Sequence, residues 1–250
     1  MKCNPLLMKG PLVLRTLSGE KTETRRIVND LIELGQVYNL QESDTLGYDS
    51  TFRDRHLRWH DLTRKCFESL CPYGQPGDRL WVRETWRPDL VGMVSGYNFA
   101  ADGLFVPHAN TEEAASLWAH RGAQRGGLDS WRPSIFMPRD ICRLELEIVS
   151  VRCERLQEIT PDAVRAEGVG RLELGDLVAM GASWGRVQRT VRDMTLSRIT
   201  YPESRLLTAC DGDLLLAWRV LWSVINDHRP GCRWDDNPWV WVLGYRRAQQ

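Results

Sequence analysis

The stretch LSGEKTETRR (17–26) sets a glycine, a lysine, two threonines and two adjacent arginines within ten positions. A hydroxyl becomes a nucleophile when a base takes its proton, and a neutral lysine amine is such a base. Basic residues at the start of a strand equally well bind phosphate, so on these residues alone both readings stand. Composition sharpens the contrast, because the chain has 29 Arg and only four Lys, at positions 2, 9, 21 and 65. Arginine stays charged, whereas lysine shifts its pKa readily on burial. A base at position 21 requires lysine; a phosphate clamp does not. Burial and the neighbouring charges of Arg25 and Arg26 are what would bring the Lys21 amine down from its free value of about 10.4. Side chains alternate along a strand, so Lys21 and Thr24 can converge only if Lys21 belongs to the turn after Gly19 and the strand begins near Thr22.

Other residues with chemical potential are scattered. Glu84 in VRETW (82–86) reads as a cleft-lining or ion-paired carboxylate, and Trp81, Trp86 and Trp239 as core residues or stacking platforms for bases. Arg132 and Arg139 flank PSIFMP and suit either a phosphate-binding rim or a solvated face. His56, His60, Cys66 and Cys71 lie within sixteen residues, but their order and gaps do not match a common zinc site. We expect no metal and no cofactor.

The elements that must position these groups follow from local signals. Residues 10–19 read as a helix, with Pro11 near its start and Gly19 as its stop. Residues 22–28 read as a strand, and 72–86 as two glycine turns leading into an alternating strand. Cys142–Arg152 carries the longest strand pattern, with Leu144, Leu146 and Ile148 on one face. TPDAVRAEGV (160–169) predicts a short helix with Thr160 as N-cap and Gly168 as stop. An amphipathic helix at 213–227 precedes a closing strand at 237–247, whose Trp239–Val242 run implies burial on both faces. Between these stand three long insertions at about 29–70, 88–130 and 170–211, the first expected to be partly helical and the last a variable polar stretch. Strand signals spread over the whole chain favour one domain, 1–250, with α+β architecture.

GEKTETRR, PGDRLWVRETW, SIFMPR, ITPDAVRAEGV and NPWVWVLGYRR, in this order, resemble the ASCH-domain proteins (activating-signal-cointegrator homology), in a long form of the kind carried by phages and prophages. The resemblance covers about 5–28, 71–87, 131–169 and 213–247. It implies a PUA-like mixed β-barrel with surrounding helices and a cleft for RNA or a modified nucleoside. Within the wider family, small bacterial amidohydrolases remove the acyl group of N4-acetylcytidine with a Lys and a Thr of GxKTxT and a Glu of the short helix. Carried over by residue, these are Lys21 as base, Thr24 as nucleophile and Glu167 as acid. Arg25, Arg26, Glu84 and Trp86 are then the expected substrate-binding residues. The length, the insertions and the arginine after Thr24 depart from that pattern.

The remaining composition narrows the classes. Thirty-three acidic and 33 basic residues give zero formal net charge, so any binding of RNA or DNA must rest on a local patch. Seven cysteines without a CxxC pair suit free thiols in a reducing compartment. No apolar run approaches a membrane span. The expectation is a cytoplasmic protein, phage-encoded and acting in the bacterial host, with an acylated nucleoside as substrate. The alternatives are a non-catalytic module that binds RNA or a modified base, and a ribonuclease.

Overall fold

The computed structural model describes residues 2–124, 127–128, 130–195 and 201–248, so parts of the second and third insertions (125, 126, 129 and 196–200) lie outside the described residues. Its centre is a five-stranded sheet built from β1 (Cys3–Leu7), β2 (Glu23–Ile27), β3 (Arg79–Arg83), β4 (Glu145–Arg155) and β5 (Trp239–Arg247), in the order β1-β3-β4-β5-β2. Only β1 and β3 run parallel; the other neighbours are antiparallel. Strand β5 is interior, and its side chains alternate between two cores: Val240 and Val242 face one, while Trp241, Leu243 and Tyr245 face the other. This accounts for the continuous apolar run of its sequence. A bulge between Ile148 and Ser150 bends β4, and Val149 is left half exposed there.

The fold is α+β, but the sheet does not close into a barrel. Strands β1 and β2 are its two edges, and no ladder joins them. Pro5 sits in the middle of β1 and has no N–H to give a neighbouring strand. Across the seam a side chain replaces the ladder, since Arg26 on β2 donates through Nη2 to the Leu7 carbonyl on β1.

Three helices surround the free edge of β2 and the residues it carries. Helix α1 (Gly10–Leu17) ends at Gly19, which takes φ +78° to turn the chain. Helix α2 (Pro161–Ala166) starts at Thr160, whose hydroxyl accepts from the Ala163 amide at 3.3 Å. Helix α3 (Leu214–Asn226) is capped by Asp213, which accepts from the Leu215 and Leu216 amides. The face of α3 carrying Val220, Leu221 and Val224 packs into the core that holds Val240 and Val242.

The insertions differ from their sequence reading. The regular structure of residues 29–70 is mainly β, with a small hairpin (Asp30–Leu31 with Gly35–Gln36), a three-stranded sheet (Tyr38–Glu42, Ser50–Arg53, Trp59–Leu62) and one short helix (Arg64–Ser69). Their turns depend on side-chain chemistry: buried Asp54 accepts from the His56 and Arg58 amides and from Arg58 Nε, and pairs with His60 at 3.1 Å. The 88–130 region forms a three-stranded sheet (Trp86–Val91, Val94–Phe99, Phe105–Pro107) and a helix, Glu112–Ala123. The described part of 170–211 is largely helical (Leu174–Ala179, Trp184–Thr195 and Leu206–Ala209), and in the second of these helices Val187 and Val191 recur one turn apart among arginines and bury in the core that α3 shares. No helix among the described residues is long and apolar enough to cross a membrane.

Candidate functional site

Lys21 lies where the strand geometry requires it, in the turn before β2. Its amide donates to the Arg15 carbonyl at the end of α1 at 2.9 Å, and the next amide, of Thr22, donates to the Ala166 carbonyl at the end of α2 at 2.8 Å. These two bonds splice α1, α2 and β2 at one point. Gly168 completes the junction. It takes φ +79°, and a Cβ there would stand 3.1 Å from the Cβ atoms of both Arg15 and Lys21. Only glycine lets the end of α2 approach this closely.

The result is a direct ion pair between the Lys21 amine and the Glu167 carboxylate, with the lysine 1% exposed. Lys21 Nζ also donates to the Glu167 carbonyl at 3.2 Å and the Glu23 carbonyl at 2.6 Å, so its three donors are all used. None goes to Thr24. Burial pushes the Lys21 amine below the ordinary lysine range; Glu167 opposes this, and the charges of Arg26 and Arg25 reinforce it.

Glu167 is held from a second side. Its Oε1 accepts from Arg25 Nη1 at 3.3 Å, and Arg25 Nη2 donates to Glu154 at 2.6 Å. Arg152 then joins Glu154 to Glu23, with bonds of 3.1 Å to the first and of 2.9 and 3.1 Å to the second. Three cations and three carboxylates therefore form one neutral network.

On the open side of this network lies a cavity of about 250 Å³. Thr24, Arg25, Arg26 and Glu167 form one wall, and Trp218 and Trp222 of α3 face them. The cavity runs along the free edge of β2, which is why side chains from both faces of that strand reach it. The Thr22 carbonyl accepts from the Tyr245 amide, and the Val28 amide donates to the Trp239 carbonyl, so even-numbered residues bond toward β5. The alternation of an antiparallel ladder leaves the amide and carbonyl of Arg25 pointing off the open edge. Thr24 is buried, and its hydroxyl makes no hydrogen bond among the described residues.

Four of the seven expected site residues line this cavity, Thr24, Arg25, Arg26 and Glu167, and Lys21 lies buried behind Glu167. Glu84 and Trp86 do not line it. They follow β3, which β4 and β5 separate from β2 by three strand spacings, about 14 Å along the sheet. Glu84 is instead gripped by Arg143, Nε to Oε1 and Nη2 to Oε2, both at 2.7 Å. Trp86 is buried against Tyr97 and under the Arg132 guanidinium, which lies 4.9 Å from its ring. That use of Arg132 makes it an interior residue, not a rim.

Three contributors were not legible as site residues. Glu154, Arg152 and Arg229 all stand far beyond Arg25 along the chain, and only Glu154 and Arg152 carry a local signal, as outward charges alternating on a long strand. No group of three or more His, Cys, Asp or Glu side chains among the described residues is arranged to hold a metal. Cys71 is buried, with its thiol pushed up to about 12 by burial, and His60 is bound to Asp54 and stacked on Phe52. No family model matches this chain, and neither a curated protein nor a solved structure does.

Proposed function

We propose that the chain is an ASCH-type, PUA-like protein whose cavity takes a nucleoside, and that it hydrolyses the amide of an N-acylated nucleobase. The observation that carries this reading is the buried Lys21–Glu167 pair, whose carboxylate lines the cavity together with the unbonded Thr24 hydroxyl. The amine of this pair is depressed by burial, and its proton has an adjacent acceptor in Glu167.

In this mechanism the Lys21 proton passes to Glu167, and the neutral amine takes the proton of Thr24. The Thr24 oxygen attacks the acyl carbon, forming a C–O bond while the C–N bond to the base breaks. Glu167 returns its proton to the departing exocyclic nitrogen. Water, deprotonated by the same relay, then cleaves the acyl-threonine ester, which releases the carboxylic acid and restores the hydroxyl. Arg25 keeps Glu167 oriented through both steps.

A specific observation favours a second reading. All three donors of Lys21 are satisfied by acceptors other than Thr24, as expected of a structural ammonium in a module that binds a base without reacting. Incubation with a panel of N-acylated nucleosides, followed by chromatography, separates the two. Release of the free nucleoside, absent in Lys21→Arg, supports hydrolysis; no release from any substrate supports the binding module. We place either activity in the cytoplasm of a phage-infected bacterium, in keeping with the seven free cysteines.

A further inference from the structure

The charges around the cavity do not cancel as those of the whole chain do. Lys21, Arg25 and Arg152 are matched by Glu23, Glu154 and Glu167. Two further arginines line the cavity, and neither has a carboxylate partner among the described residues: Arg26 on β2 and Arg229 just beyond α3. Arg26 is partly buried, gives one bond to the Leu7 carbonyl, and has its Nε buried with no acceptor. Most of its five donors therefore have no acceptor on the protein.

The deeper wall is short of acceptors too. The Nε of Arg25, a residue 5% exposed, has no partner, and neither has the indole Nε1 of Trp218, 4% exposed, over whose ring the Arg25 guanidinium lies at 6.0 Å. A buried donor without an acceptor is unfavourable. Each of these unfilled groups is a donor, and the two uncancelled charges are positive. An occupant with negative charge and several acceptor oxygens would match these two arginines, whose remaining donors have no acceptor on the protein.

We infer that the occupant of this cavity carries a phosphate on its sugar, held between Arg26 and Arg229, with its base toward Thr24 and Glu167. The inference rests on the reading of the cavity as a nucleoside site and narrows it from nucleosides to nucleotides. Two sources supply the same chemistry, a free mononucleotide and a phosphate within a short strand.

Binding of cytidine 5′-monophosphate, cytidine and a tricytidylate, measured by calorimetry on the full chain, tests this without requiring turnover. The monophosphate should bind about tenfold or more tighter than cytidine, the factor expected for a charge-assisted pair. That ratio should fall toward one in Arg229→Gln and in Arg26→Gln, and should persist in Arg186→Gln, a change at an exposed arginine away from the cavity. Arg229 is itself exposed, so its substitution leaves the fold intact, as a thermal melt will verify. Equal binding of monophosphate and cytidine, binding of neither, or a ratio that survives both cavity substitutions overturns the inference. A tricytidylate bound tighter than the monophosphate assigns the phosphate to a strand, and the reverse order assigns it to a free nucleotide. If the monophosphate is preferred but no acylated nucleoside or nucleotide is hydrolysed, the amidohydrolase reading falls and the phosphate site stands. Hydrolysis without any phosphate preference has the opposite meaning.

Discussion

Two buried glutamates, Glu167 and Glu84, meet arginine in different parts of the sheet, and they are built for different ends. Glu84 has both oxygens taken by one guanidinium fork, and Arg143 is further held by Asp102 at 2.7 Å. Burial raises the Glu84 carboxyl, while its bonds to Arg143 oppose that rise. The partner of Glu84 cannot give up a proton, because arginine does not deprotonate. Glu167 divides its oxygens between Arg25 and a lysine, so one of its two partners can give up a proton. It also lines a cavity beside a free hydroxyl, whereas Glu84 lines neither this cavity nor the larger one of about 500 Å³ bordered by Arg143. A fork fixes a structure. A carboxylate shared between a permanent and a removable charge can take part in chemistry.

The largest test of this contrast is Lys21→Arg, which keeps the positive charge and takes away the removable proton. Hydrolysis of an acylated nucleoside should fall by about 10²–10⁴, the usual contribution of a general base. Near-parental turnover in that variant would end the base assignment while leaving the fold untouched. Next comes Glu167→Ala, which strands Lys21 and Arg25 in the interior. Unfolding in urea should show a loss of about 3–5 kcal/mol, as for other buried pairs broken on one side. Glu84→Gln should cost less, about 1–3 kcal/mol, because the amide oxygen still accepts from Arg143 and Asp102 still pairs with it. Its folded fraction should hydrolyse substrate at the parental rate; a loss comparable to that of Lys21→Arg would return Glu84 to the site.

The smallest effect is on pH dependence. The unfolded chain holds the Lys21 proton up to about pH 10.4, and the folded chain releases it at lower pH. Between those values the unfolded state binds more protons, so stability rises with pH, by at most about 1.4 kcal/mol per unit, and levels off above the unfolded value. Hydrolysis should climb through the same window as the amine becomes neutral. Urea titrations from pH 6 to 10 should lose this slope in Lys21→Gln. A parental slope that is flat, or falls, would mean that the lysine keeps its proton throughout.

Much of the central frame was legible from local chemistry. Pro11 and Gly19 bracket α1, Thr160 and Gly168 bracket α2, and the apolar period of 213–227 gives α3. Strand alternation made a turn at Lys21 the condition for it to converge with Thr24, and the lysine does lie in the turn before β2. The small sheets of the first two insertions were not legible. Their strands are short and their turns are held by single side chains such as Asp54, which leave little hydrophobic period to read. The helices of 170–211 did carry a period, in Val187 and Val191, but it is buried among arginines in the sequence.

What the sequence determined by itself is the set of groups and their local stage: one lysine among arginines, a threonine three residues on, a glutamate at a helix end followed by a glycine that takes φ +79° beside Lys21 without strain. These depend on backbone geometry within a few residues, so type and spacing suffice. The tertiary structure decided which of those groups meet. It set β3 three strands from β2, which removed Glu84 and Trp86 from the cavity. It also brought Arg152 and Glu154 across the sheet to neutralise the network, and left Arg26 and Arg229 uncancelled at its mouth. Strand order and long-range ion pairing depend on which edges and charges come together when the cores close, and no local pattern encodes that.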